Sequence, residues 1–375
     1  FWGFSPFLAL VKQAPCRLRW YGPPGVVFGN AKAMLVHLAE VELRLGMALL
    51  GADGAQRRTC LPGGRSKLLR PLLLSSADTF NMTLISAGFG LKRSSIELRN
   101  YMPKILTQAQ IDQFWNEGYV LPFDCLTTEQ ARDARNKIEA YESTIEGDIS
   151  RHLRVKVHTA FLWLMDIARH PKILDAVEDL IGPKILLYLS TFWFKDANDP
   201  RYVSWHQDSA YYGLDPHDVI TLWLAFTNSS PANGCVRILP RTHLGEEFVH
   251  NETYAADNLL ARGQSIEDID DSNPVDLELK AGQFSMHHER LVHGSAPNTS
   301  DDRRLGMSFT YLPTNVRCSL GGRTAMLVRG VDEFGYWGRD REPKRDLDPD
   351  CMEAIEYWIK EYANPTIVQE AKMAG

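Results

Sequence analysis

The sequence predicts a mainly β fold with flanking helices, a double-stranded β-helix of the cupin-like jelly-roll type. The first observation is a change after Gly182, where helical spacing of apolar residues gives way to short runs rich in β-branched and aromatic residues. The second is that seven such runs, each bounded by Gly, Pro, Asn or Asp, fit two packed sheets with a mouth for a ligand. The third is a histidine and an aspartate at the end of one run, where that mouth would lie. The predicted strands are 184–195, 203–208, 219–228, 235–239, 275–279, 283–288 and 304–312.

Composition and charge limit the functions that the chain can have. With 375 residues, 44% of them hydrophobic, the chain can bury the core of one large domain or two. A formal net charge of −6 argues against a nucleic acid partner. There is no uncharged apolar run of about 18 residues, so no membrane span is predicted. The six cysteines include no CxxC pair, which favours a reduced, cytoplasmic compartment over a disulfide framework.

The amino-terminal residues differ from the rest in charge. The first hundred carry 13 basic and 5 acidic residues, a net of +8, which leaves 28 basic and 42 acidic residues, a net of −14, for the remainder. They mix Pro/Gly clusters with Leu-rich runs, and a well-formed globular sequence opens at Met102. We therefore expect residues 1–101 to be an extension, poorly ordered or not native, and residues 102–375 to be the functional domain. The alternative is a small accessory domain around an amphipathic helix at 31–50.

Helices are predicted on both sides of the jelly-roll core, which we place at 183–313. Before the core, Thr107 and Gln110 form a capping box at the start of a helix that Gly118 is placed to end. After the core, the Gly- and Arg-rich stretch 315–346 fits either a lid over the site or a surface loop. The other predicted helices follow Thr127, span 161–169 and 172–181, and open at Asp348-Pro349.

The candidate site begins in the predicted strand 203–208. Side chains alternate along a strand, so His206 and Asp208 are expected on one face. His293 follows 87 residues later, at the end of another strand-like run. Two histidines and one carboxylate, with other positions open, are the ligand set of non-haem Fe(II) oxygenases. A lone histidine in a β-rich core is more often a hydrogen-bonded structural residue, so the argument depends on all three together.

Further residues, in this order and spacing, resemble a known family. They are Trp205-His206-Gln207-Asp208, then 233–240 with Thr242-His243, Ala281-Gly282-Gln283, His293-Gly294-Ser295, Asn298 and Arg304. The set is similar to the phytanoyl-CoA dioxygenase family of Fe(II)- and 2-oxoglutarate-dependent oxygenases, over roughly residues 105–313. One departure is Arg241, where the family usually has a glycine.

The resemblance implies roles for the residues that match. His206, Asp208 and His293 would hold Fe(II) and leave positions for 2-oxoglutarate and O2. Arg304 matches the arginine that grips the distal carboxylate of 2-oxoglutarate, a task suited to a planar guanidinium. Ser295 matches a hydroxyl partner of that carboxylate. The remaining two assignments are Lys195, a weaker candidate for the same contact, and Arg303, the competing arginine.

The implied activity is hydroxylation of an unactivated C–H bond of a small molecule, with succinate and CO2 as co-products. Related halogenases lack the carboxylate of Asp208, so an oxygenase outcome, hydroxylation or desaturation, is favoured here. The alternative is a non-catalytic jelly-roll protein that binds a metal or small molecule. The substrate and the oligomeric state are not predicted. Expected substrate contacts, each weighed against core packing, are Tyr211, Tyr212, Phe192, Trp193 and Trp223.

Overall fold

The computed structural model describes residues 102–147, 149–260 and 262–363. The predicted extension 1–101, with its alternative helix at 31–50, lies outside these residues. The helices are α1 Gln108–Glu117, α2 Thr128–Glu142, α3 Leu162–Ala168, α4 Pro171–Ile181, α5 Ser209–Tyr212 and α6 Pro349–Ala363. Single 3-10 turns occur at Ile149–Arg151, Val157–Thr159, Pro231–Asn233 and Thr242–Leu244.

The helices begin and end at the residues that the capping signals indicate. The Thr107 hydroxyl accepts a hydrogen bond from the Gln110 backbone N–H, and the Gln110 side chain accepts from the Thr107 backbone N–H. Gly118 closes α1 with φ +90°, a conformation that glycine adopts without a Cβ penalty. Thr127 caps α2 in the same way as Thr107 caps α1. The predicted helix starts are therefore confirmed.

Two sheets form the core of the fold. The larger has seven strands in the order β1-β10-β5-β12-β2-β14-β15, and the smaller has the order β3-β11-β6-β9. The strands are β1 Tyr119–Asp124, β2 Ile185–Lys195, β3 Val203–His206, β4 Leu214–Asp215, β5 Ile220–Ala225, β6 Val236–Ile238, β7 Asn251–Glu252, β8 Gln264–Ser265, β9 Val275–Leu277, β10 Gln283–His288, β11 His293–Ser295, β12 Arg304–Pro313, β13 Arg317–Cys318, β14 Thr324–Arg329 and β15 Gly338–Arg339. Apart from the paired β14 and β15, neighbouring strands in both sheets are antiparallel, and the predicted double-stranded β-helix is confirmed.

The central strands of the large sheet have two different faces. Alternate side chains of β5, β10 and β12 point outward and join the main hydrophobic core with the helices, among them Leu222, Met286, Met307 and Phe309. The intervening side chains point toward the small sheet, where Trp223 and Ala225 pack with Val236, Ile238 and Leu277. Burial on both sides explains why these strands carry almost no charge. The inner face is the one that forms the site.

The chain after β12 is more regular than the sequence indicated. Residues 324–329 form β14, which extends the large sheet by pairing with β2. Trp337 is buried against Tyr188, with ring centroids 5.0 Å apart, whereas Phe334 and Tyr336 are exposed. The lid reading of 315–346 stays a prediction. None of the helices within the described residues has the length and apolarity needed to cross a membrane.

Arg241 has a backbone conformation that explains the glycine expected there. Its φ is +70°, in the left-handed region that side chains with a Cβ rarely adopt. The Arg241 backbone N–H donates to the Glu117 carbonyl over 3.0 Å, and its guanidinium lies 3.1 Å from the Glu117 carboxylate. These contacts to the end of α1 stabilise the turn without a glycine.

Candidate functional site

The three predicted metal ligands lie together. His206 ends β3 and His293 begins β11, and the two residues are direct partners in the antiparallel ladder. Their imidazole rings are 4.1 Å apart, and Asp208 completes a group whose ligand atoms all lie within 4.8 Å of one another. Among the residues that the structure describes, this is the one group of His, Cys, Asp or Glu with such a spacing.

Backbone carbonyls fix the tautomer of both histidines. Nδ1 of His206 lies 2.9 Å from the Ser204 carbonyl oxygen, and Nδ1 of His293 lies 2.9 Å from the Leu291 carbonyl oxygen. Since a carbonyl oxygen only accepts, each Nδ1 carries the proton and each Nε2 keeps a free lone pair. A histidine that binds a metal needs this arrangement: Nε2 offers its lone pair to the metal, and the Nδ1 proton is held by a hydrogen-bond acceptor of the protein that orients the ring.

Asp208 reaches the site in a way that the sequence argument did not foresee. The predicted strand 203–208 was wrong at its end: β3 stops at His206, and Asp208 has helical angles at the start of α5. The strand ends because the Gln207 backbone N–H donates to Nε2 of His250, over 2.8 Å, instead of to a neighbouring strand. A turn, and not strand alternation, therefore brings the carboxylate beside His206, at 3.6 Å.

Three neighbouring side chains prepare Asp208 to act as an anionic ligand. The Thr221 hydroxyl donates to Oδ2 of Asp208 over 2.8 Å and so fixes the carboxylate. Burial alone would raise the pKa of Asp208, but the adjacent His206 and His293 hold that pKa well below its usual range. The carboxylate is therefore charged at neutral pH.

A cavity extends from these three residues toward the start of β12. Its floor is the inner face of the large sheet, where the strand register places polar residues in rows. One row contains His287, Thr221 and Thr310, and the next contains Ser285, Trp223, Ser308 and Thr191. All of these except Ser285 line the cavity, with Arg304 and Ser295 at its far end. The cavity thus joins a ligand cluster at one end to a cationic group at the other.

Arg304 is a buried cation without an anion. Only 1% of its surface is exposed, its Nη1 donates to the Gly234 carbonyl, and its Nε has no partner. The guanidinium lies over the Trp223 ring, 5.3 Å from its centroid. Burial lowers the pKa of Arg304 to about 10. No carboxylate of the described residues lies within ion-pair distance of the guanidinium. A ligand carboxylate is therefore the partner that would compensate this buried charge.

Arg303, the competing arginine, is already paired. It donates to both carboxylate oxygens of Glu142 over 2.6 and 2.9 Å, and lies 2.9 Å from Asp196. Its guanidinium packs on Phe194, on the other side of β12 from the cavity. The structure therefore favours Arg304 over Arg303 for anion binding.

Lys195 and Ser295 lie beside Arg304. The Lys195 ammonium donates to Oγ of Ser295 over 2.6 Å and also contacts the Ala296 carbonyl. Ser295 lines the cavity, whereas Lys195 is behind it. Burial, and then the nearby charge of Arg304, lower the pKa of Lys195 to about 6. A buried guanidinium and an amine of lowered pKa thus share a corner in which the described residues place no unpaired carboxylate.

The five aromatic residues expected at the substrate divide into three groups. Tyr212, Trp193 and Trp223 line the cavity at the metal ligands. Phe192 lies outside it but lines an adjoining cavity, of about 310 Å³, that shares Thr191 and Trp193 with the first. Tyr211 is not brought to either cavity, because its ring packs against His250 and the guanidinium of Arg262.

Sequence reasoning missed several polar residues of the cavity. His287 is the largest, and only 2% of its surface is exposed. Burial lowers the pKa of His287 to about 4, so its ring is neutral at pH 7. The available signal was polar residues at every second position of otherwise apolar strands. The residues in this alternating pattern are Ser285 and His287 in β10, Thr221 in β5, and Ser308 and Thr310 in β12. All of them except Ser285 line the cavity.

The donor set fits Fe(II) with 2-oxoglutarate. Two imidazole nitrogens and one carboxylate oxygen converge with no fourth protein ligand among the described residues, which matches the facial triad of non-haem iron oxygenases. The orphaned guanidinium of Arg304 matches a second carboxylate at the other end of the same small molecule. Both observations come from this chain's own side chains.

Comparison with known proteins agrees with this geometry. The sequence profile of the phytanoyl-CoA dioxygenase family matches residues 104–306. The chain belongs to the phytanoyl-CoA dioxygenase family. The resemblance predicted from the motif residues is thereby confirmed, and the matched segment contains all three triad residues and Arg304.

Individual curated relatives match over shorter segments. A probable alpha-ketoglutarate-dependent hypophosphite dioxygenase of Stutzerimonas stutzeri is 31% identical over 166 residues, 44% of this chain and 58% of that protein. A probable phytanoyl-CoA dioxygenase of Caenorhabditis elegans is 30% identical over 156 residues, 40% of this chain and 50% of that protein. The chain thus spans about half the length of the curated relatives it matches.

A solved structure covers more of the fold. The non-haem monooxygenase ThoJ, in its apo form, is 30% identical with a TM-score of 0.61, over 71% of this chain and 100% of that chain. Its nickel complex matches at 28% identity with a TM-score of 0.57, over 70% of this chain and 99% of that chain. The structural similarity therefore extends over the whole of a related non-haem enzyme.

Proposed function

We propose that this protein is an Fe(II)- and 2-oxoglutarate-dependent dioxygenase that hydroxylates an unactivated C–H bond of a small molecule, with succinate and CO2 as co-products. One observation carries the proposal. A two-histidine, one-carboxylate cluster with both Nε2 atoms free opens into a cavity that ends at a buried, unpaired arginine. A protein that only binds a metal has no need of the arginine.

The side chains divide the work of the reaction. His206, Asp208 and His293 would hold the iron, and Arg304 with Ser295 would hold the distal carboxylate of 2-oxoglutarate. When bound, iron, 2-oxoglutarate and O2 together supply the oxidising power that hydroxylates the substrate. The Trp223 ring, which packs with Ile238 between the two sheets, walls the cavity and excludes water from it.

The adjoining cavity of about 310 Å³ is the proposed substrate chamber. It shares Thr191 and Trp193 with the metal cavity, and Phe192 and Phe194 give it an apolar side. Arg154 and Arg201 line it as well, but each is hydrogen bonded within the protein, to the Leu259 carbonyl and to Asp199 respectively. This mixed lining suits a small metabolite or natural product, and it offers no separate basic cluster for the phosphates of a CoA ester.

The alternative, a jelly-roll binding protein without turnover, is tested by the same experiment as the activity. Purified protein is loaded anaerobically with Fe(II), 2-oxoglutarate is added, and the visible metal-to-ligand charge-transfer band is recorded; O2 is then admitted and succinate is measured. We expect the band and slow succinate formation in the wild type, and neither in Asp208→Ala. A folded, iron-loaded wild-type protein that shows neither signal would support the binding protein instead.

Two finer assignments, the type of oxidation and the location in the cell, have their own tests. Product analysis by mass spectrometry distinguishes hydroxylation, a gain of one oxygen atom, from desaturation, a loss of two hydrogen atoms. A cytoplasmic location is supported by four free thiols within the described residues, Cys125, Cys235, Cys318 and Cys351. Fractionation of cells that express the protein would test it.

A further inference from the structure

His287 has a position in the cavity that the proposed mechanism does not yet use. It lies on the inner face of β10, directly opposite Thr221 of β5 in the strand register. Its ring is 4.5 Å from the ring of His293, centroid to centroid, and it lines the cavity at the metal end. His287 is therefore next to the ligand cluster without belonging to it.

Neither ring nitrogen of His287 has a hydrogen-bond partner in the described part of the chain. Leaving a buried polar atom without a partner costs about 1–3 kcal/mol, and this side chain has two such atoms. A phenylalanine would fill the same space without that cost. The imidazole thus has the features of a group whose partner arrives with a ligand.

Three other donors at the metal end are already engaged. The Thr221 hydroxyl donates to Asp208, and the Nδ1 protons of His206 and His293 are held by backbone carbonyls. An imidazole offers at least one N–H in either protonation state, so His287 provides a donor at this end whose partner the protein does not supply.

A ligand with an unmet need for a donor at this end is 2-oxoglutarate. With its keto-acid end held at the metal ligands, 2-oxoglutarate would present there a carboxylate that needs a donor from the protein. We propose that His287 donates a hydrogen bond to the metal-end carboxylate of 2-oxoglutarate and so positions the co-substrate. This inference rests on the proposed function, and it adds a second protein contact at the end opposite Arg304.

The experiment compares two keto acids that share the metal end. Wild type, His287→Phe and His287→Gln are loaded with Fe(II) under nitrogen and titrated with 2-oxoglutarate and with pyruvate, which has the same keto-acid end but no distal carboxylate. The readouts are the Kd for each ligand and the position of the charge-transfer band. The Fe(II) affinity and thermal unfolding of each variant are measured first.

We expect His287→Phe to raise the Kd for both keto acids about ten-fold and to shift the band, since one hydrogen bond to a charged group is lost. His287→Gln, which keeps a donor, should recover most of the affinity. His288→Gln is the control: the neighbouring histidine is also buried but packs against His243 and Trp115, outside the cavity. It should leave both Kd values unchanged.

Several outcomes overturn the proposal. Kd values for both keto acids within two-fold of wild type in His287→Phe would show that the imidazole does not contact the co-substrate. Loss of Fe(II) binding in both His287 variants would assign the residue to support of His293 instead. A wild-type protein that binds iron but gives no band with either keto acid would refute the proposed function itself, which separates that failure from a failure of the His287 contact.

Discussion

Replacing Arg304 with methionine is the sharpest test of the anion site. The substitution keeps the length and apolar stem of the side chain but removes the guanidinium. In the wild type that group is buried over Trp223 and bonded to the Gly234 carbonyl, with no carboxylate beside it. We expect 2-oxoglutarate binding to be weakened severely, while iron binding persists.

The expected magnitude follows from the burial of the charge. The pKa of Arg304 falls from 12.5 to about 10 in the cavity without an anion, which corresponds to about 3 kcal/mol of unfavourable charge burial. A carboxylate bound beside the guanidinium recovers at least this amount. Its loss in Arg304→Met should therefore raise the Kd for 2-oxoglutarate roughly a hundred-fold. The Kd of Arg304→Lys should lie between those of the wild type and Arg304→Met, because an ammonium cannot pair with both carboxylate oxygens at once.

The assay is anaerobic calorimetric titration of the Fe(II)-loaded protein with 2-oxoglutarate, and the matched control is Arg303→Met. Arg303 is the adjacent residue of the same type, but it forms ion pairs with Glu142 and Asp196 away from the cavity. Its replacement should cost stability and leave the Kd unchanged. A Kd in Arg304→Met within three-fold of wild type, or a larger effect from Arg303→Met, would refute the assignment.

Three further predictions concern the residues around the site. Thr221→Val removes the donor to Asp208 and should lower the Fe(II) affinity about ten-fold, with Thr221→Ser restoring it; equal affinity in the valine variant would rule out this support. Gly306→Ala would place a Cβ 2.2 Å from the Trp223 ring, so we expect a loss of about 1–3 kcal/mol in unfolding free energy and weaker 2-oxoglutarate binding; an unchanged melting temperature would contradict the close packing. The pKa of Lys195 is about 6 without an anion, and a bound carboxylate nearby favours the charged form, so binding takes up a proton. The affinity for 2-oxoglutarate should then fall as pH rises above about 6, by up to about ten-fold per pH unit, and the slope should disappear in Lys195→Met; equal slopes in both proteins would exclude this lysine.

Local signals in the sequence predicted the local structure well. Thr107 and Thr127 begin helices because each threonine hydroxyl accepts a hydrogen bond from the backbone N–H of the glutamine three residues later. The side chain of that glutamine in turn accepts from the backbone N–H of the threonine. Such interactions lie within four residues, so the sequence contains all of their parts. The metal triad was predicted for a different reason, since its residue types and order are specific even though its geometry was not known.

Features that depend on strand pairing could not be predicted in this way. His287 belongs to the site because β10 pairs with β5 in one particular register, and nothing near position 287 in the sequence encodes that register. Asp208 was placed beside His206 for a wrong structural reason, because the turn after His206 depends on His250, more than forty residues away. Tyr211 was misplaced by the same turn, which directs it away from both cavities.

The two faces of the central strands have a consequence for how such a protein can change over evolution. In β12, Leu305, Met307 and Phe309 belong to the helix-packed core, while Arg304 and Ser308 belong to the cavity. A substitution at a cavity position can therefore reshape the cavity without touching the packing on which folding depends. New substrates can be reached one inner-face residue at a time, on a scaffold whose outer face stays constant, and directed evolution of this chain would find its useful variation at every second position.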